Sequence, residues 1–143
     1  MPLYQVVAAF LCLVFAALAL LHLYWAAGGP RAVQGAVPTV GDRPLFSPGP
    51  PATLAVAGGL IAAAAISAVR GGLLSLALPA WLSHLGTWVL VLAFAFRAVG
   101  EFRYVGFFKR VRGTVFARRD TLIYSPLCAF ISALAAGLAV LAP

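Results

Sequence analysis

The sequence is poor in charge and poorest in acid. Of 143 residues only three are Asp or Glu, and charged residues of both signs make up 9%. A soluble domain carries about a quarter. With 64% hydrophobic residues, too few polar side chains remain to cover a water-facing globule, so a soluble monomer is excluded. So is intrinsic disorder, which requires low hydrophobicity. There are two cysteines, Cys12 and Cys128, each alone in an apolar run. Without a CxxC, neither a redox pair nor a zinc knuckle is implied. No GxSxG and no P-loop occurs, and no His, Cys or carboxylate cluster has metal-ligand spacing. No cofactor and no metal is therefore implied. The N-terminus lacks the basic segment of a secretory signal, and its apolar run is too long for one, which reads as a retained first span.

Long apolar runs dominate what is there. A helix needs about 20 apolar residues to cross a bilayer. Four stretches qualify: about 3–27, 52–69, 79–99 and 122–142. The expected fold is an all-α integral membrane bundle of four transmembrane helices, a single domain over 1–143. Gly28, Gly29 and Pro30 end the first span; Arg70, Gly71 and Gly72 end the second. The third starts at Pro79, or at Leu73 with a kink. Ser125 and Pro126 read as N-cap and first position of a last helix, with an earlier start at Thr121 as the alternative. Ala55, Gly59 and Ala63, and again Ala129, Ala133 and Gly137, repeat every four residues and permit close helix contact, which suggests a homo-oligomer.

Loop 28–51 holds six of the ten prolines, Pro30, Pro38, Pro44, Pro48, Pro50 and Pro51, and cannot be helical. Loop 100–121 interleaves Phe102, Tyr104, Phe107, Phe108 and Phe116 with Arg103, Lys109, Arg110, Arg112, Arg118 and Arg119, as expected of a segment lying in the membrane surface.

The cations give an orientation. With Arg31, Arg43 and Arg97, these two loops hold nine of the ten Lys and Arg; Arg70 stands alone in the loop between them. The positive-inside rule places both basic loops in the cytoplasm and both termini outside a bacterial cytoplasmic membrane. Between apolar spans, a net charge of +7 points to anionic lipid headgroups rather than to nucleic acid.

Ionisable groups near spans are the default functional candidates. Arg97 and Glu101 are four apart, on one face if the third helix continues. His22 lies about 7 Å inside the same end of span one, followed by Tyr24 and Trp25. A pocket in that leaflet would gather His22, Trp25, Arg97, Glu101, Arg103, Tyr104 and Lys109. Arg97, Arg103 and Lys109 would then face a phosphate or carboxylate, with Tyr104 as hydrogen-bond partner. Plainer readings stand beside this one. Arg97 snorkels and pairs with Glu101. His22 donates to a backbone carbonyl. Asp120 caps the last helix or pairs with Arg118 or Arg119. His84, Tyr24 and Trp25 are interfacial. The basic run fixes orientation only.

The strings FRYVGFFKRVRGTVFARRDTLIYSPLC, LHLYWAAGG and GDRPLFSPGPPAT resemble a bacterial family known as domain of unknown function 3995. That resemblance implies a small multi-span membrane protein, with no activity or site residues to carry over. A looser similarity links size, topology and the Arg97, Arg103 and Tyr104 helix end to the four-helix eicosanoid and glutathione membrane enzymes. Their second-helix acid is missing here. Three functions follow as expectations: an inner-membrane protein binding an anionic lipid or amphiphile at its cytoplasmic face, an enzyme on a lipophilic substrate using His22 or Tyr104 near Arg97 and Glu101, or a small transporter.

Overall fold

The computed structural model describes residues 1–30 and 35–143. The chain is an all-α bundle of four helices, each long and apolar enough to cross a membrane: α1 Leu3–Ala26, α2 Pro50–Arg70, α3 Ala80–Val99 and α4 Val115–Leu141. Each packs on its neighbours in sequence, and α1 also packs on α4. A two-residue pair of antiparallel strands, β1 Thr39–Val40 and β2 Arg43–Pro44, folds the proline-rich loop into a small hairpin. Arg31, counted above among the cytoplasmic cations, lies outside the described residues.

Each helix buries one stripe and leaves the rest outward. On α1 the buried residues are Ala8, Leu11, Phe15 and Ala19, spaced three or four apart as a single helical face requires. Ala63, Leu90, Ile131, Ala135 and Leu138 complete the core. Large apolar side chains such as Leu13, Leu20, Phe96 and Val140 point away from it. In lipid these cost nothing, but apolar burial between helices also yields little, so small residues and interhelical hydrogen bonds hold such a bundle. A Cβ on Gly71 would collide with Ala8, which marks how closely α1 and α2 approach. Ser132 Oγ donates to the Val91 carbonyl at 2.8 Å across α4 and α3. Arg70 Nη2 donates to the carbonyls of Ala139 (3.1 Å) and Ala142 (2.7 Å), closing the open end of α4.

Within the bundle the small-residue stripes are not the main packing seams. Ala63 is buried, but Ala55 and Gly59 face outward, and α2 instead buries Thr53, Ala57, Ala63 and Ser67. On α4, Ala133 is exposed while Ile131, Ser132 and Ala135 go inside. Spacing by four identifies a face without saying which way it turns.

The last helix differs most from expectation. It starts at Val115, so residues 115–121 are the first turns of α4 rather than a surface-lying loop. Thr114 is its N-cap, Oγ1 accepting from the Ala117 N–H at 3.0 Å. Ser125 is inside the helix, not at its cap. Pro126 has no N–H to give and its ring crowds the preceding turn. The helix answers with a π-turn over Asp120–Tyr124, in which the Ser125 N–H bonds to the Asp120 carbonyl five residues back.

Candidate functional site

The π-turn sets the position of Asp120. Residues five apart on a regular α-helix point about 140° apart. Widening the turn brings Asp120 and Ser125 onto one side, where Ser125 Oγ donates to Asp120 Oδ2 at 3.1 Å. Asp120 is 0% exposed. Four donors meet its carboxylate. Arg97 Nη2 donates to Oδ1 at 2.9 Å. Lys109 Nζ (3.0 Å) and the Gly106 N–H (2.8 Å) donate to Oδ2 alongside Ser125. An unpaired carboxylate here would carry a large desolvation cost, and this donor set offsets it.

The loop between α3 and α4 is folded to deliver these donors. Gly100 (φ +87°) turns the chain out of α3, and Gly106 (φ +89°) turns it back. The two touch: a Cβ on Gly100 would strike the Val105 carbonyl, and one on Gly106 would strike the Val99 carbonyl. Only glycine fits that crossing and that backbone region. The Phe107 N–H then bonds to the Ala98 carbonyl at 2.8 Å, stitching the loop over the end of α3. Lys109, 2% exposed, uses all three ammonium protons: on the Gly106 carbonyl (2.8 Å), Asp120 Oδ2 and Thr121 Oγ1 (2.7 Å).

Several expectations are corrected by this arrangement. Glu101 does not pair with Arg97, because α3 ends at Val99 and the i, i+4 face does not continue. Its carboxylate accepts instead from the backbone N–H groups of Arg103 (3.1 Å), Tyr104 and Val105 (3.0 Å). That ring of donors accommodates Phe102 at φ +66°. Asp120 neither caps α4 nor pairs with Arg118 or Arg119; Thr114 is the cap, and Arg97 and Lys109 are the ion-pair partners. Lys109 faces inward and has no proton left for a ligand.

The expected site residues fall into three groups. Arg97 and Lys109 converge on Asp120. Glu101, Arg103 and Tyr104 share the turn after α3, with the Arg103 guanidinium 5.1 Å from the centre of the Tyr104 ring. His22 and Trp25 pack edge to face at 5.0 Å near the end of α1. His22 Nδ1 lies 2.7 Å from the Leu18 carbonyl, to which it donates. His22 and Glu101 form no direct ion pair; each is bonded within its own element. His84 accepts from Trp88 Nε1 at 3.1 Å toward the opposite end of the bundle.

Outside the buried cluster lies a basic groove. Its volume is about 750 Å³, and Arg112, Thr114, Arg118, Arg119 and Thr121 supply its polar lining, with Val115 and Leu122 on the apolar side. No acidic residue lines it. Asp120 is turned inward beneath it, and these guanidiniums join those of the exposed Arg103 and Arg110 as the outer charge of the segment. Arg112 and Arg118 have no carboxylate within ion-pair distance among the described residues. Arg112 and Arg118 belong to the basic run already noted, but sequence alone did not separate them from Arg97 and Lys109. Among the described residues no three His, Cys, Asp or Glu side chains converge as metal ligands.

A family model described as "Protein of unknown function (DUF3995)" matches residues 5–135, nearly the whole chain. The chain belongs to this family. No curated protein and no solved structure matches it. The DUF3995 match runs unbroken from α1 through the glycine crossing, the Asp120 cluster and the basic groove into α4, so the candidate site lies wholly inside the family's own region.

Proposed function

We propose that this protein is a bacterial inner-membrane protein that binds the head of an anionic lipid or amphiphile at its cytoplasmic face, in the groove at the start of α4. The observation that carries this reading is the composition of the groove. Three arginines and two threonines line it, no acid does, and its lower edge is apolar. Guanidiniums bind phosphate and carboxylate oxygens bidentately and are less strongly hydrated than ammonium groups. A lipid can therefore seat its head on Arg112 and Arg118 and lay its chain along Val115 and Leu122.

The orientation supports the same reading. Both basic loops lie at the ends of the bundle shared by α1, α3 and the start of α4, and the cytoplasmic leaflet carries the anionic surface potential that juxtamembrane cations favour. Arg97 and Lys109, first grouped with the ligand-facing residues, act in this reading as the frame behind the groove.

The test is native mass spectrometry of the protein released from mild detergent with phosphatidylglycerol and phosphatidylcholine added. Wild type retains phosphatidylglycerol in preference to phosphatidylcholine, and the Arg112→Gln/Arg118→Gln variant loses that preference. Equal retention of both lipids by wild type would defeat the proposal.

A further inference from the structure

We infer that the groove at the start of α4 selects a dianionic phosphomonoester head over a monoanionic phosphodiester; this rests on the lipid-head reading above. Three features of the groove carry it.

Charge comes first. Three guanidiniums border the space and no carboxylate does. Two of them, Arg112 and Arg118, are exposed. A phosphodiester brings one negative charge and two unesterified oxygens. A phosphomonoester brings about −1.5 to −2 at pH 7 and three acceptor oxygens. The second set matches more of the lining.

The helix terminus adds donors independent of any side chain. α4 begins at Val115, and Gly113, Thr114 and Val115 at that end line the groove. Thr114 Oγ1 takes only the Ala117 N–H. Among the described residues the N–H of Val115, which borders the groove, has no backbone acceptor, and a helix favours negative charge at that end.

The hydroxyls complete the arrangement. Thr114 accepts from Ala117 and keeps its own proton for an outer acceptor. Thr121 is already spent, donating to the Ala117 carbonyl at 3.0 Å and accepting from Lys109. The groove thus presents Arg112, Arg118, the Thr114 hydroxyl and the Val115 N–H to one anion. Asp120, the nearest acid in sequence, is tied up by Arg97 and Lys109 and does not compete.

Such a ligand could be a lipid with a phosphomonoester head or a soluble phosphomonoester. The experiment titrates the detergent-solubilised protein with phosphatidic acid, phosphatidylglycerol and phosphatidylcholine by native mass spectrometry, with glycerol 3-phosphate as soluble competitor. At pH 7.5 phosphatidic acid is expected to bind roughly tenfold tighter than phosphatidylglycerol, since each added charged hydrogen bond is worth about that much. That preference shrinks below about pH 6, where the monoester dianion takes up a proton and becomes a monoanion. Arg112→Gln/Arg118→Gln abolishes the preference; both positions are exposed, so the fold is kept. Competition by glycerol 3-phosphate supports the site with a soluble source. Its absence, with the preference intact, supports the site with a lipid source. Equal affinity for phosphatidic acid and phosphatidylglycerol overturns this inference and leaves anionic-lipid binding standing. Equal affinity for phosphatidylcholine as well overturns both.

Discussion

Lys109 Nζ sits 3.0 Å from Asp120 Oδ2, and neither side chain reaches solvent. In a chain with three acids and ten bases, this pair sorts the cations. Lys109 and Arg97 are drawn inward to one carboxylate, while Arg112 and Arg118 stay outside with none. The π-turn and the glycine crossing both serve that sorting, since one aims Asp120 and the other brings Lys109 to it.

Removing one member of a buried ion pair strands the other, at a cost of about 3–5 kcal/mol. Asp120→Asn and Lys109→Met are each expected to destabilise the protein by about that much, measured by unfolding in mixed detergent micelles. Arg97 is 35% exposed at its side chain, so losing Asp120 strands it less than it strands Lys109. The combined Lys109→Met/Asp120→Leu variant should therefore recover much of the loss. A double variant as unstable as the sum of the singles would show that the two do not act as a pair.

Gly106→Ala is expected to prevent the α3–α4 loop from closing. The added methyl meets the Val99 carbonyl, and φ +89° is strained for any L side chain. The expected readout is loss of monodisperse protein on size exclusion. Gly137→Ala serves as control, because open space lies beside Gly137. Similar behaviour of the two variants would remove the glycine crossing from the account.

His22 is occupied within its own helix, its Nδ1–H on the Leu18 carbonyl. His22→Leu is expected to cost under about 1 kcal/mol, the worth of one modest hydrogen bond, and to leave lipid retention unchanged. Loss of a bound ligand in this variant would return His22 to the site.

Orientation has a direct readout. In a Cys12→Ala/Cys128→Ala background, Ser47→Cys in the proline-rich loop and Ser75→Cys between α2 and α3 probe opposite ends of the bundle. An impermeant maleimide applied to intact cells is expected to label the variant at position 75 and not the one at 47. The reverse pattern would invert the topology.

Much of the fold was legible in the sequence, because lipid imposes a simple rule. An uninterrupted apolar run of about 20 residues must be helical, and α1 to α3 begin and end close to the glycine and proline signals that bound them. The site was less legible, for two reasons. Pro126 after Ser125 is a strong start signal, and a proline inside a helix reads the same way as one at its entry. That hid the true start at Val115 and left Asp120 in a loop, where a surface pairing with Arg118 or Arg119 was the natural reading. Placed inside the helix, Asp120 becomes an acid within an apolar span and the strongest functional signal in the chain. Glu101 misled in the opposite direction: its spacing from Arg97 is right for a helical pair, but Gly100 ends the helix first. Which cations face inward depends on the fold of residues 100–114, where spacing carries no information.

In the proposed function Arg97 and Lys109 hold the frame, and Arg112 and Arg118 hold the ligand. That division is tested by comparing phosphatidylglycerol retention, by native mass spectrometry, in two variants. One is Lys109→Met/Asp120→Leu, which removes the inner pair; the other is Arg112→Gln/Arg118→Gln, which removes the two exposed guanidiniums of the groove. The expected result is lipid retained by the first and lost by the second. Lipid lost by the first and retained by the second would overturn that division.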